Sequence, residues 1–206
     1  MGHRALVAYE RADSTYNIHY SHWGANGLRL KHALTPRTPY GADDSSGRAR
    51  RMHEALTDGV DPETVADEYG RGQDTQVDVL PLETGVTLAT VLTDLLDYLH
   101  HEALYVVDSR FEVTAYRTLW FGLQYESDRI DDAPTLGYGA VRTVRWCDGE
   151  PAGDDYLCGQ FAGLKRALGA MIDRERIGEA MANQFLHSEL VEITDGRHDL
   201  RFGDIG

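Results

Sequence analysis

The chain is 206 residues long, 42% hydrophobic and 26% charged, a balance that excludes a disordered polypeptide and supplies a sizeable core without disulfide staples. Its 34 acidic residues outnumber 20 basic ones for a formal net charge of −14, and Lys31 and Lys165 are the only lysines. Such a charge disfavours nucleic acid, and no apolar run approaches the roughly 18 residues of a membrane span, so neither is an expected partner.

The excess of arginine over lysine has a physical reading. Lys exposes a strongly hydrated ammonium on a long stem, whereas Arg ion-pairs through a planar, less hydrated fork. A coat of Asp, Glu and Arg fits concentrated salt, where the Debye length at about 1 M is roughly 3 Å, against roughly 10 Å at about 0.1 M. The composition therefore points to a halophilic, cytoplasmic protein. The same salt argues again against nucleic acid, because six phosphate contacts would lose on the order of six decades of affinity between about 0.15 M and about 2 M. Cys147 and Cys158 belong to no Cys-x-x-Cys pair and are expected to be free thiols. The first residues pass straight into strand-like sequence without a secretory signal, which fits the cytoplasm.

In chain order, Ala5, Val7 and Tyr9 alternate along one face, and Tyr16, Ile18 and Tyr20 follow a polar turn at Ala12–Thr15, which predicts a β-hairpin. Trp23-Gly24 ends it, and Leu28, Leu30 and Leu34 suggest a short helix. Residues 36–75 are polar and punctuated by Pro36, Pro39 and Gly41, and read as an insertion or flap on a single domain spanning residues 1–206. Two short helices are expected inside it, one around Arg50–Leu56 and one beginning at Asp61-Pro62-Glu63, where Asp caps and Pro takes the first helical position. Leu88, Val91, Leu92, Leu95, Leu96 and Leu99 recur at helical spacing and predict a long amphipathic helix over Val86–His101. Strands follow at Leu104–Val107, at Val113–Leu123 with Tyr116, Thr118 and Trp120 on one face, and at Tyr138–Trp146 with Ala140, Arg142 and Val144 along one side. After Gly153, Asp154 or Asp155 caps a helix carrying Leu157, Phe161, Leu164, Leu168 and Met171. A second helix starts near Asp173 and carries Ile177, Met181 and Phe185. An Asp195-Gly196 loop between Val191/Ile193 and Leu200/Phe202 predicts a closing hairpin. The fold class is α+β, with a mainly antiparallel sheet of hairpins under the long helix and the C-terminal helix pair.

Three stretches, Gly2 to Glu10, Tyr16 to Gly24 and Leu99 to Val107, resemble an uncharacterised haloarchaeal protein family, a domain of unknown function. The resemblance covers most of the chain. It implies provenance and carries over no catalytic residue.

Two constellations carry candidate chemistry. Two imidazoles, His19 with His100 or His101, and one carboxylate, Glu102 or Asp108, would form a three-ligand site for a divalent metal if the helix end packs against the first hairpin; no other cofactor is expected. Against this, His19 and His22 point to opposite faces of a strand, and histidines in a last helical turn serve equally as caps. Trp23, Tyr116 and Trp120, with His22, Arg117 and Arg142 as polar handles, would line an aromatic groove closed by the 36–75 segment, although strand aromatics ordinarily build core. The sequence lacks a Gly-x-Ser-x-Gly elbow and a phosphate loop. It therefore supports a binding or regulatory module for a small molecule or a protein partner, with a metal-dependent hydrolase as the alternative. The apolar helix faces leave room for a homodimer.

Overall fold

The computed structural model describes residues 2–70, 75–194 and 196–204. The chain opens with the expected hairpin, β1 (Ala5–Glu10) and β2 (Tyr16–Ser21). Its turn is closed by Arg11 N–H donating to the Thr15 carbonyl at 2.8 Å, while the Asp13 carboxylate accepts from the Thr15 amide at 3.0 Å. One helical turn, α1 (Leu30–Ala33), leads to α2 (Arg48–Thr57) and α3 (Pro62–Tyr69). Asp61 caps α3 by accepting from the Thr64 amide at 3.1 Å, as the Asp-Pro-Glu signature predicts. Next come β3 (Glu83–Val86), the turn α4 (Leu88–Thr90), and the strands β4 (Ala103–Val107), β5 (Val113–Trp120) and β6 (Gly139–Thr143). A two-residue ribbon, β7 (Trp146–Cys147) with β8 (Glu150–Pro151), precedes α5 (Asp154–Asp173), α6 (Glu179–Thr194) and β9 (Leu200–Phe202).

Seven strands form one sheet in the order β3-β2-β1-β4-β5-β6-β9, antiparallel throughout except where β1 and β4 run parallel. Strand side chains alternate between faces, and both faces are covered. On one face Ala5, Val7, Tyr9, Tyr105 and Ala115 meet Leu30, Tyr40, Met52, Leu56 and Val65. Further along that face Leu119 and Ala140 meet Phe161, Leu168, Leu186 and Leu190 of the C-terminal helix pair. The other face carries Leu6, Ala8, Leu104, Tyr116 and Val141 beneath Val91, Leu92, Leu96 and Tyr98. Burial of each such Leu or Val contributes about 1.5–3 kcal/mol, so this double-sided packing is the main source of stability. The α+β class, the mainly antiparallel sheet and the C-terminal helix pair agree with the sequence.

Four details differ. The long helix over Val86–His101 does not form: after α4 a single wide turn at Val91–Leu95 ends, and Leu96 is extended at φ −81°, ψ 109°. Leu96 and Tyr98 pair instead with the 135–137 segment in an isolated antiparallel bridge, through Tyr98 N–H to Thr135 O at 2.8 Å and Gly137 N–H to Leu96 O at 3.2 Å. The Asp97 carboxylate then accepts from the amides of Leu99 and His100 at 3.1 and 2.9 Å, folding a tight turn where the helix would have ended. Long-range backbone pairing outcompetes the local apolar period.

The 36–75 segment supplies Tyr40, Ala49, Met52, Leu56 and Val65 to the core, a layer of the fold where the sequence suggested a flap. The closing hairpin is absent: Val191 and Ile193 lie in the last turn of α6 and β9 pairs with β6, while Asp195 of the predicted loop lies outside the described residues. The inward face of α6 is Ala182, Leu186 and Leu190, leaving Met181 61% and Phe185 48% exposed. Both lysines are tied down: Lys31 donates to the Val113 carbonyl, and Lys165 lies over the Trp120 ring at 4.6 Å and 3.6 Å from Glu126.

Candidate functional site

Where the two helical layers meet on their common sheet face, β5 and β6 place Arg117 directly opposite Arg142. Two like charges opposed on one face destabilise a sheet unless a counter-charge stands between them. Asp154, in the first turn of α5, supplies it. Its Oδ2 accepts from Arg117 Nε at 3.0 Å and Nη2 at 2.7 Å, and its Oδ1 accepts from Arg142 Nη2 at 2.6 Å. Arg142 is 1% exposed and its Nε has no hydrogen-bond partner among the described residues. Burial opposes the charge of Arg117, but the Asp154 carboxylate outweighs it and holds the guanidinium above its ordinary value. The helix N-terminus favours an anion there, so the aspartate answers both the arginines and the helix dipole. The sequence read Asp154 or Asp155 as a helix cap; the N-cap is Gly153, at φ 73°, and the Asp154 carboxylate is committed to the arginines.

This pair of ion pairs floors two adjoining depressions of about 440 Å³ and about 340 Å³ that share Glu102, Arg117, Asp154 and Asp155. The larger is walled by His3, Glu150 and Tyr156, the smaller by His101, Thr118 and Cys158. His3 Nδ1 lies 3.0 Å from Glu102 Oε2. Glu150 and Asp155 make no ion pair among the described residues, so carboxylate charge dominates the rim. Tyr156 is 69% exposed beside them. Cys158 Sγ lies 3.6 Å from Arg142 Nη2, and burial first and Asp154 second push its thiol up, away from a reactive thiolate.

The residues proposed for an aromatic groove separate. Arg117 lines the cleft, and His22 and Trp23 stand exposed nearby, the Trp23 ring 6.2 Å from His3. Tyr116 and Trp120 occupy the other sheet face, donating to Asp199 at 2.9 Å and to the Pro134 carbonyl at 2.8 Å, and Arg142 is buried behind Asp154. Alternation along β5 makes this unavoidable, since Arg117 and its neighbours Tyr116 and Thr118 point oppositely.

The proposed metal ligands separate as well. His19 is buried on the first face, donating from Nδ1 to the Asp78 carbonyl at 2.8 Å, and burial depresses its pKa to about 3. His100 is exposed and pairs with Asp97 at 2.9 Å, while His101 accepts the Asp97 amide at 3.1 Å. Glu102 and Asp108 flank β4 at opposite ends, about 20 Å apart at strand rise. No group of three His, Cys, Asp or Glu among the described residues is placed to hold a metal ion.

Sequence reasoning did not bring His3, Asp154 and Asp155 together in one site. One signal was present: Arg142 alternates with Ala140 and Val144 on a strand's inward side, and a buried guanidinium requires a buried carboxylate.

Fold and site together define an α+β protein with a doubly covered seven-stranded sheet and an acid-rimmed cleft over a buried arginine–aspartate cluster. Residues 1–202 match a family of unknown function (DUF6735), and the chain belongs to that family. No curated protein and no solved structure matches it. Among the described residues no helix is long and apolar enough to cross a membrane.

Proposed function

We propose that this protein is a binding module for a small ammonium-bearing molecule, seated in the cleft over Arg117 and Asp154. The observation that supports this reading is the asymmetry of charge: Asp154 is consumed by two arginines, whereas Glu150 and Asp155, with Glu102 beside the His3 imidazole, border the same 440 Å³ depression. The volume lies within the range of small-molecule sites, and the buried ion pairs beneath give the floor a fixed geometry. Exposed Tyr156 adds an aromatic face beside the carboxylates, a combination that attracts organic cations. Isothermal calorimetry with 1,4-diaminobutane tests it. Saturable binding by the native chain is expected, weakened about tenfold or more, or roughly 1.4 kcal/mol, in the E102Q/D155N double variant. Equal binding by both proteins, or none by the native chain, refutes the reading.

The same reading places the protein in a salt-rich cytoplasm of haloarchaeal type. Its support is the net charge of −14 and the scarcity of lysine.

A further inference from the structure

The cleft lies at the amino ends of the parallel strands β1 and β4. Beyond their carboxyl ends is a separate cavity of about 190 Å³, bordered by Tyr9, Arg11, His53, Val107 and Phe111. Its most telling wall is His53, on α2, which is only 9% exposed yet takes no hydrogen bond on its ring from any described residue. Its ring lies among aromatic neighbours: Tyr9 at 4.9 Å, Phe111 at 5.0 Å and Tyr40 at 5.9 Å between centroids. Burial keeps the imidazole neutral, so it presents one donor and one acceptor. Arg11, which borders the same cavity, has a buried Nε without a hydrogen-bond partner among the described residues. A buried unmet polar atom such as Arg11 Nε costs about 1–3 kcal/mol, and a ligand that meets it recovers that cost, while the His53 ring offers a further donor and acceptor at the cavity wall. Phe111 adds a second sign of a built site, a bulky side chain at φ 61°, a conformation costing of order 1–3 kcal/mol that holds its ring against His53.

Size and charge narrow the occupant. An engineered cavity of about 150 Å³ takes one benzene ring, whereas drug-sized ligands need about 300 Å³ or more. The cavity therefore has room for one ring. Glu10, Asp58 and Asp108 also border it, which disfavours an anion. We propose that this cavity is a second ligand site, taking one neutral planar ring that carries both a hydrogen-bond donor and an acceptor, of the pyrimidine or pyridone kind. The ring packs against Tyr9 and Phe111 and bonds to His53 and Arg11.

The test is a titration of the ¹⁵N-labelled full chain with uracil, followed by amide chemical shifts. Saturable shifts centred on Thr57, Ser109 and Phe111 are expected, with a Kd on the order of 1 mM, as befits so few atoms. H53F keeps the aromatic packing and removes the hydrogen bonds; it should weaken binding about tenfold, and R11M, which leaves α2 itself unaltered, should weaken it similarly. D155N, in the cleft, should bind uracil as the native chain does. Absence of saturable shifts, unchanged affinity in both H53F and R11M, or equal binding of benzene and uracil overturns the proposal.

Discussion

Acidification should unfold this protein through two imidazoles that the fold keeps neutral. His19 is 1% exposed and His53 9% exposed, and burial lowers their pKa values from 6.5 to about 3 and about 4. In the unfolded chain both return to about 6.5. Below that pH the unfolded state binds two protons that the native state refuses, so stability falls as pH drops from about 7 toward the depressed folded values. At pH 5 each group stands about 1.5 units below its unfolded pKa, which is about 2 kcal/mol apiece and about 4 kcal/mol together. That is a large share of an ordinary domain's roughly 5–15 kcal/mol. Partial protonation of surface carboxylates works the other way by relieving self-repulsion, so the decisive comparison is between proteins at one pH. H53F removes one titrating group while keeping the ring packed against Tyr9 and Phe111, and H19N keeps a donor for the Asp78 carbonyl. Urea unfolding followed by tryptophan fluorescence at about pH 8 and about pH 5 should show the native loss, about half of it in H53F, and little in the double variant. A double variant whose pH dependence equals that of the native chain refutes the reasoning.

Removing the charge of Asp154 with D154N leaves Arg142, 1% exposed, without its counter-ion, and should cost roughly 3–5 kcal/mol, read as a lower urea midpoint. G169A should destabilise, because a Cβ there would stand 2.1 Å from the Glu126 carbonyl oxygen, and overpacking of about 1–3 kcal/mol exceeds the helix-propensity gain of about 1 kcal/mol. G163A, on the same helix with open space around its Cβ, should instead stabilise by about 0.4–1 kcal/mol, and the pair of thermal melts checks the packing of α5 directly. With a net charge of −14, the chain should melt at a clearly lower temperature in dilute buffer than in about 2 M potassium chloride; equal melting temperatures would remove the halophilic reading.

What the sequence determined is what neighbours in the chain determine. The alternation of Ala5, Val7 and Tyr9 fixed the first hairpin, Asp61-Pro62 fixed the start of α3, and the strands expected from period and residue type at 104–107, 113–123 and 138–146 form over 103–107, 113–120 and 139–143. Each depends on contacts a few residues apart, which the one-dimensional order contains. The outcomes decided by tertiary structure depend on partners far along the chain. The apolar run 88–99 has a helical period, yet Thr135 and Gly137 offer its backbone better hydrogen bonds, and Asp97 turns the chain. His19 reads as a ligand on paper and is walled in by Tyr9 and Tyr40. Arg117, Arg142 and Asp154 are ordinary surface residue types separated by up to 37 positions, and their meeting is created by the β5–β6 register and by where α5 begins. Long-range burial turns ordinary charges into a cluster, because a guanidinium withdrawn from water must find a carboxylate withdrawn with it.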